Sequence, residues 1–297
     1  MISSLILQLA RGIWFIEPAS ANSYKPVVEA ILSGKNVDFK SLMPKYAMSD
    51  DDRDVRESAQ KFVLLNSSSI IEEFGNINEA PKGSVAVTYL QGVVMKHDFC
   101  GSAGTKTIES LMKEADANPN ISAHILHVDS PGGSADATID LGETIKSLNK
   151  PVLAFSDGLM ASAAYWIASS AKHIMASNAL NEIGSIGTYT RILDWSKAME
   201  MDGVKEIVVY ATKSTEKNGD YRSAIAGDLD PMRATIDKYN EQFLSTVKRN
   251  RFGKNLNEEQ TLKGQLHLTD NALKFGLIDS VGNFEQSIKK VQSFIKA

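Results

Sequence analysis

From residue 84 onward the apolar positions change period repeatedly, and the changes outline the fold. Ser84-Val85-Ala86-Val87-Thr88-Tyr89-Leu90 is rich in β-branched residues and short enough for a strand. Ile108, Leu111, Met112 and Ala115 then recur at i, i+3, i+4 and i+7, one face of a helix that Asn118-Pro119-Asn120 closes. Residues 121–128 read as the next strand, and Leu141, Ile145 and Leu148 mark a helix beyond Gly133. Residues 151–155 form another short apolar run, followed by a helix that begins near Ser162. Residues 174–176 and 206–210 (Glu-Ile-Val-Val-Tyr) supply two more predicted strands. The longest helix opens with Asp230 as N-cap and Pro231 at the first helical position, and Met232, Ile236, Tyr239, Phe243 and Val247 fall on one face. Alternating strands and helices predict an α/β fold with a largely parallel sheet and crossover helices.

The first eighty residues read differently. They hold helical patterns such as Val27, Val28, Ile31 and Leu32, the polar run Ser49-Asp50-Asp51-Asp52-Arg53-Asp54, and no convincing strand. Pro81-Lys82-Gly83 then punctuates the chain. Two parts are therefore expected: a mainly helical N-terminal extension over residues 1–80 and an α/β domain over residues 81–297. Residues 1–16 are apolar-rich but interrupted by Gln8 and Arg11 and end at Glu17-Pro18, so they predict an amphipathic helix and no membrane span, which needs about 20 mostly apolar residues.

Composition narrows the class. Of 297 residues, 43% are hydrophobic and 23% charged, enough to bury a substantial core. The formal net charge of −4, without a basic stripe, points away from nucleic acid as a partner. Cys100 is the single cysteine, so no internal disulfide can form, and its surroundings hold nothing that would activate a thiol.

Three stretches bear on chemistry. Asp129-Ser130-Pro131-Gly132-Gly133 lies where a strand gives way to a helix, and paired glycines there let backbone N–H groups approach a developing oxyanion. Ser162 starts a small-residue helix, with Ala161, Ala163 and Ala164 leaving room about its hydroxyl, although a serine in such a place more often only caps the helix. Lys213 and Lys217 lie in Thr212-Lys213-Ser214-Thr215-Glu216-Lys217-Asn218-Gly219. A lysine acts as a general base where burial favours its neutral amine, and most loop lysines are merely solvated. The five histidines (His97, His124, His127, His173 and His267) form no triad or metal spacing, and no phosphate-binding Gly-rich loop occurs.

Taken in order, these stretches resemble the signal peptide peptidase A family of serine peptidases, which share a Clp/crotonase-like fold. The resemblance runs from Ser84 to Val281 and rests on Asp129–Gly133, on Ala161-Ser162-Ala163-Ala164-Tyr165-Trp166-Ile167-Ala168, on Gly184-Ser185-Ile186-Gly187, and on Ala272-Leu273-Lys274-Phe275-Gly276-Leu277-Ile278-Asp279. It implies a Ser–Lys dyad with Ser162 as nucleophile and Lys217 as base, Lys213 being the rival. It further implies an oxyanion hole from Gly132, Gly133 and Ala163, with Ser185 orienting the lysine. No metal or cofactor is implied; a protein or peptide substrate and a homo-oligomer are. Trp14-Phe15-Ile16-Glu17-Pro18 looks like the leader of phage head-maturation peptidases, which act on scaffold and capsid proteins, so the expected location is the host cytoplasm or the prohead. The alternatives are a cellular peptidase that degrades signal peptides, a catalytically silent assembly protein, and a crotonase-like acyl-CoA enzyme.

Overall fold

The computed structural model describes residues 13–16, 52–65, 71–98, 101–192, 194, 196–205 and 207–295. In chain order the elements begin with β1 (Ile13–Ile16), α1 (Asp52–Ala59), β2 (Gln60–Leu65), β3 (Ile71–Phe74) and β4 (Ser84–Gln91). They continue with α2 (Thr105–Ala117), β5 (Ile121–Ser130), β6 (Gly132–Ser134), α3 (Ile139–Ser147), β7 (Val152–Ala161) and α4 (Ala163–Ser169). Then follow β8 (His173–Ala176), β9 (Glu182–Gly184), β10 (Tyr189–Thr190), α5 (Ser196–Met201), α6 (Gly219–Ile225) and α7 (Asp230–Asn250). The last are α8 (Glu258–Thr261), β11 (Leu266–Leu268), α9 (Thr269–Lys274), β12 (Ser280–Val281) and α10 (Phe284–Ser293).

The main sheet has nine strands, with the path β11-β9-β7-β5-β4-β2-β3 and with β8 joining β7 to β12. Its centre is parallel: β4 on β5, β5 on β7, and β7 on both β8 and β9. The edges β2, β3 and β11 are antiparallel. Parallel strands need helical crossovers; α2, α3 and α4 cover one face and the last helix, α10, covers the other, which is why the central strands read as nearly unbroken apolar runs. Leu126, Val128 and Ala154 pack beneath Ile108 and Met112 of α2, Leu141 and Ile145 of α3, Tyr165 and Trp166 of α4, and Phe243 of α7. Their neighbours Val85, Val87, Ile125, Leu153 and Phe155 point to the other face, against Ile288 and Val291 of α10. Each fully buried aliphatic side chain here contributes roughly 1.5–3 kcal/mol.

The strands expected near residues 84–90, 121–128, 151–155 and 174–176 are present. Four expectations are corrected. The first eighty residues do hold strands, because β2 pairs with β4 and carries Phe62 and Val63 into the core. The boundary at 80/81 therefore cuts through the sheet. Residues 13–16, expected to be helical, form β1, and the helical patterns at residues 27–32 lie outside the described residues. Residues 207–210 form no strand: Ile207 is 76% exposed and Val209 86%, and no strand among the described residues pairs with them. The long helix holds Asp230 at its first position, with Leu229 as the cap residue, and the Asp230 carboxylate accepts from Arg233 instead of capping.

Candidate active site

The sheet delivers the serine. Residues 159–161 of β7 pair with β9, and in that register Ala161 faces Gly184. The next residue, Ser162, turns into α4 with φ 55° and ψ −119°, a conformation that costs a non-glycine residue about 1–3 kcal/mol and is kept where the surroundings enforce it. Two hydrogen bonds do the enforcing. The Ser162 N–H donates to the Gly184 carbonyl at 2.8 Å, and the Ser162 carbonyl accepts from the Trp166 N–H at 2.9 Å. The helix that follows is buried along its whole length, Tyr165 donating its hydroxyl to the Leu277 carbonyl at 2.8 Å and Trp166 stacking on Phe243 at 5.0 Å. Alanines 163, 164 and 168 suit this helix because there is no space beside it. Ser162 is fully buried, and its Oγ has no hydrogen-bond partner among the described residues. Ser162 stands at the N-cap position of α4, but its side chain makes no cap hydrogen bond.

The two glycines of the first stretch are required for different reasons. Gly132 has φ 93°, open to glycine at little cost. A Cβ on Gly133 would stand 2.1 Å from the Val94 carbonyl oxygen, so only glycine lets β6 lie this close to Val94. The Val94 N–H donates to Gly132 O at 2.8 Å and Ser134 N–H donates to Val94 O at 2.9 Å. Because backbone groups alternate along a strand, the N–H and C=O of Gly133 point to the opposite edge. Ser130 holds the turn, its hydroxyl donating to Gly92 O at 2.6 Å and accepting from the Gly132 N–H at 3.2 Å. β6 also packs on α4, which brings the glycines beside the helix that Ser162 opens.

Ser185 follows Gly184 as Ser162 follows Ala161. It too has positive φ, 51°, is buried, and donates its N–H to the Gln265 carbonyl at 2.7 Å. Sequence reasoning found the Gly184-Ser185 pair but not the part of Gln265, whose carbonyl carries no signal in the sequence.

Neither lysine bonds to the serine. Lys213 and Lys217 are exposed, in turns before α6. Four of the five histidines lie against groups other than Ser162. Nε2 of His127, His173 and His267 lies 2.9, 2.8 and 3.0 Å from Asp157, Ser280 and the Gln260 carbonyl. His124 is buried 3.4 Å from Asp116, and burial pushes its imidazole down to about 4 against the opposing pull of that carboxylate. Cys100 lies outside the described residues.

Residues 95–180, which hold both the Gly-Gly strand and the strand-to-helix elbow at Ser162, match the Clp protease family. Residues 144–296, just over half of the chain, match Peptidase family S49. The chain belongs to that family. It is 29% identical over 217 residues to Protease 4 of Haemophilus influenzae, an alignment covering 71% of this chain and 35% of that protein. It is 22% identical over 219 residues to the capsid assembly protease C of Escherichia phage lambda, covering 73% and 46% respectively. The chain thus spans about a third to a half of the length of these relatives. Among solved structures it is similar to an enoyl-CoA hydratase/isomerase family member, at 18% identity, TM-score 0.42 and 73% coverage of each chain. Among the described residues, no helix is long and apolar enough to cross a membrane.

Proposed function

We propose that this chain is a serine endopeptidase in which Ser162 is the nucleophile, Lys217 the base, and the amides of Gly133 and Ala163 the oxyanion donors, with Gly132 shaping that turn and Ser185 orienting the amine. The observation that carries the reading is the buried, unpartnered Ser162 Oγ on a strained elbow. Strain and an unsatisfied buried hydroxyl both cost stability, and that combination is tolerated where a group must be presented to a reacting atom.

The amine removes the proton from Ser162 as Oγ bonds to the peptide carbonyl carbon. The oxygen's new negative charge is received by the two N–H groups. Collapse of the intermediate breaks the C–N bond, and the leaving amine takes the proton from the ammonium. Water, deprotonated by the same amine, then cleaves the ester to give a carboxylate and free Ser162. A solvated lysine cannot serve, so Lys217 must become covered beside Ser162 when copies of the chain associate, which makes the active form a homo-oligomer.

The proposed substrates are scaffold or capsid proteins of a phage or prophage, a reading supported by the likeness to a protein named capsid assembly protease C. A cellular peptidase that degrades signal peptides is the second reading, favoured by the higher identity to Protease 4. Portal and capsid genes beside this gene decide for the first, and their absence for the second.

The test is casein hydrolysis by the full chain. Ser162→Ala is expected to lower the rate by at least about 10³-fold. Lys217→Arg is expected to be inactive and Lys213→Arg active, since a guanidinium does not give up its proton. The reverse pattern makes Lys213 the base. Acyl-CoA binding without hydrolysis of casein would transfer the chain to the crotonase-like class.

A further inference from the structure

Apart from the main sheet stands a three-stranded sheet of order β10-β1-β6. Its middle strand is β1, remote in sequence from both partners, and it runs antiparallel to each. The register sets Trp14 against Ser134, Phe15 against Gly133 and Ile16 against Gly132 on one side. On the other, Ile13 meets Thr190 and Trp14 meets Tyr189. The flanking strands belong to the site: β6 carries the paired glycines, and β10 begins four residues beyond Ser185.

We infer that β6 and β10 are the two walls of the peptide-binding groove, and that residues 13–16 occupy it in place of a substrate. This deepens the proposed function and rests on its assignment of Ser162 and Gly133. The alternation of backbone groups gives the main support. Gly132 O and Ser134 N–H are both spent on Val94, so the Gly133 N–H and C=O face the edge on which Phe15 lies. The amide proposed to receive the oxyanion is thus turned towards the backbone of β1. A strand between two edges finds partners on both sides, which is how an extended peptide is recognised by main-chain pairing whatever its side chains. An intramolecular occupant competes with every substrate, because a substrate binds only the fraction of molecules whose groove is free.

The occupant is tested in the full chain carrying Ser162→Ala, with a fluorescein-labelled peptide of this chain's residues 10–20 as probe and anisotropy as readout. Phe15→Pro removes the N–H opposite Gly133, and proline does not persist within a strand paired on both sides. Adding Phe15→Pro is expected to tighten peptide binding about tenfold or more, and Phe15→Pro with Ser162 restored is expected to hydrolyse casein faster than the unaltered chain. Unchanged or weaker binding by a variant that keeps its circular dichroism overturns the inference, since β1 is then a fixed wall or unrelated to the groove.

Should Phe15→Pro fail to fold, hydrogen exchange on the Ser162→Ala chain decides. Excess peptide is expected to expose the amides of residues 14–16, and unaltered protection overturns the inference. If Ser162→Ala leaves casein hydrolysis intact, the serine assignment fails, while peptide binding still reports on the groove.

Discussion

Ser162 and Ser185 occupy equivalent places on adjacent strands. Each follows one member of the Ala161–Gly184 pair, each has positive φ, and the Ser162 N–H donates to the carbonyl of the residue before Ser185. The end of the β7–β9 ladder thus fixes both backbones at once, and an error in register would move both serines together.

Ser162→Ala and Ser162→Gly both remove the hydroxyl, so both are expected to lose casein hydrolysis. Their stabilities are expected to differ. Alanine keeps the cost of φ 55°, whereas glycine adopts it freely but gains entropy in the unfolded chain. Since the strain costs about 1–3 kcal/mol and the entropy about 0.4–1 kcal/mol, the glycine variant should be the more stable by about 1 kcal/mol. Urea midpoints check this, and an alanine variant as stable as the glycine one would remove the strain argument.

Gly133→Ala is expected to be damaging although it adds one methyl group. The obstructing atom is backbone, the Val94 oxygen at 2.1 Å, and it cannot rotate away. Prising β6 from Val94 should cost about 1–3 kcal/mol and displace the amide proposed to receive the oxyanion, so activity is expected to fall more than stability. Gly75→Ala is the control, with nothing within 4 Å of the added carbon, and should leave both within about 0.5 kcal/mol. Thermal melts and casein rates on the two variants make the comparison.

Much of this architecture was legible in the sequence because the central strands are covered on both faces, which leaves long apolar runs bounded by turn residues. Ser162 and the glycine pair were legible for a local reason: small residues cluster only where backbone must come close. Lys217 could not be placed beside Ser162, because its turn is exposed and nothing in its spacing fixes what it meets. The run Phe62-Val63-Leu64-Leu65 was present but follows the polar α1, and its pairing with β4 is not encoded locally. Ile207-Val208-Val209 misled in the other direction. Its β-branched residues favour an extended chain, but a strand also needs an edge to pair with, and propensity cannot see one.

Stability is expected to fall as the pH drops from about 7 to 4. Burial, against the pull of Asp116, holds His124 down to about 4, and burial, against Asp279, does the same for His173. Both imidazoles therefore stay neutral in the fold while the unfolded chain takes up protons near its ordinary value of about 6.5. A depressed histidine contributes stability present above that value and lost as the pH falls towards the folded one. One such proton gives a slope of up to about 1.4 kcal/mol per pH unit, from His124 alone, and His173 adds in the same direction. Asp279 behaves separately: burial would raise it, but Arg251, the Ile174 N–H and Lys254 outweigh that and hold it at about 2, so its contribution disappears only below about pH 4. Denaturant midpoints between pH 7.5 and 4.5 check the slope, and His124→Asn should flatten it.

Removing residues 1–80 is expected to unfold the protein, contrary to what the polar run and the break at Pro81 imply. The cut deletes β2 and β3, leaving β4 with an open edge beside Val85 and Val87. It also takes Phe62, 3% exposed, and Val63, 2% exposed, from the core. At roughly 1.5–3 kcal/mol for each, these two side chains alone approach the 5–15 kcal/mol that separates a folded domain from its unfolded chain. The lost β2–β4 hydrogen bonds add to that, and the bared edge invites aggregation. A chain beginning at Asp52 retains α1, β2 and β3 and should keep the cooperative melt of the full chain, while one beginning at Pro81 should lose it. Circular dichroism melts and size-exclusion profiles of the two separate the cases. A soluble, cooperatively melting chain from Pro81 would show that the β2–β3 hairpin is an appendage to the sheet and not a part of what holds it together.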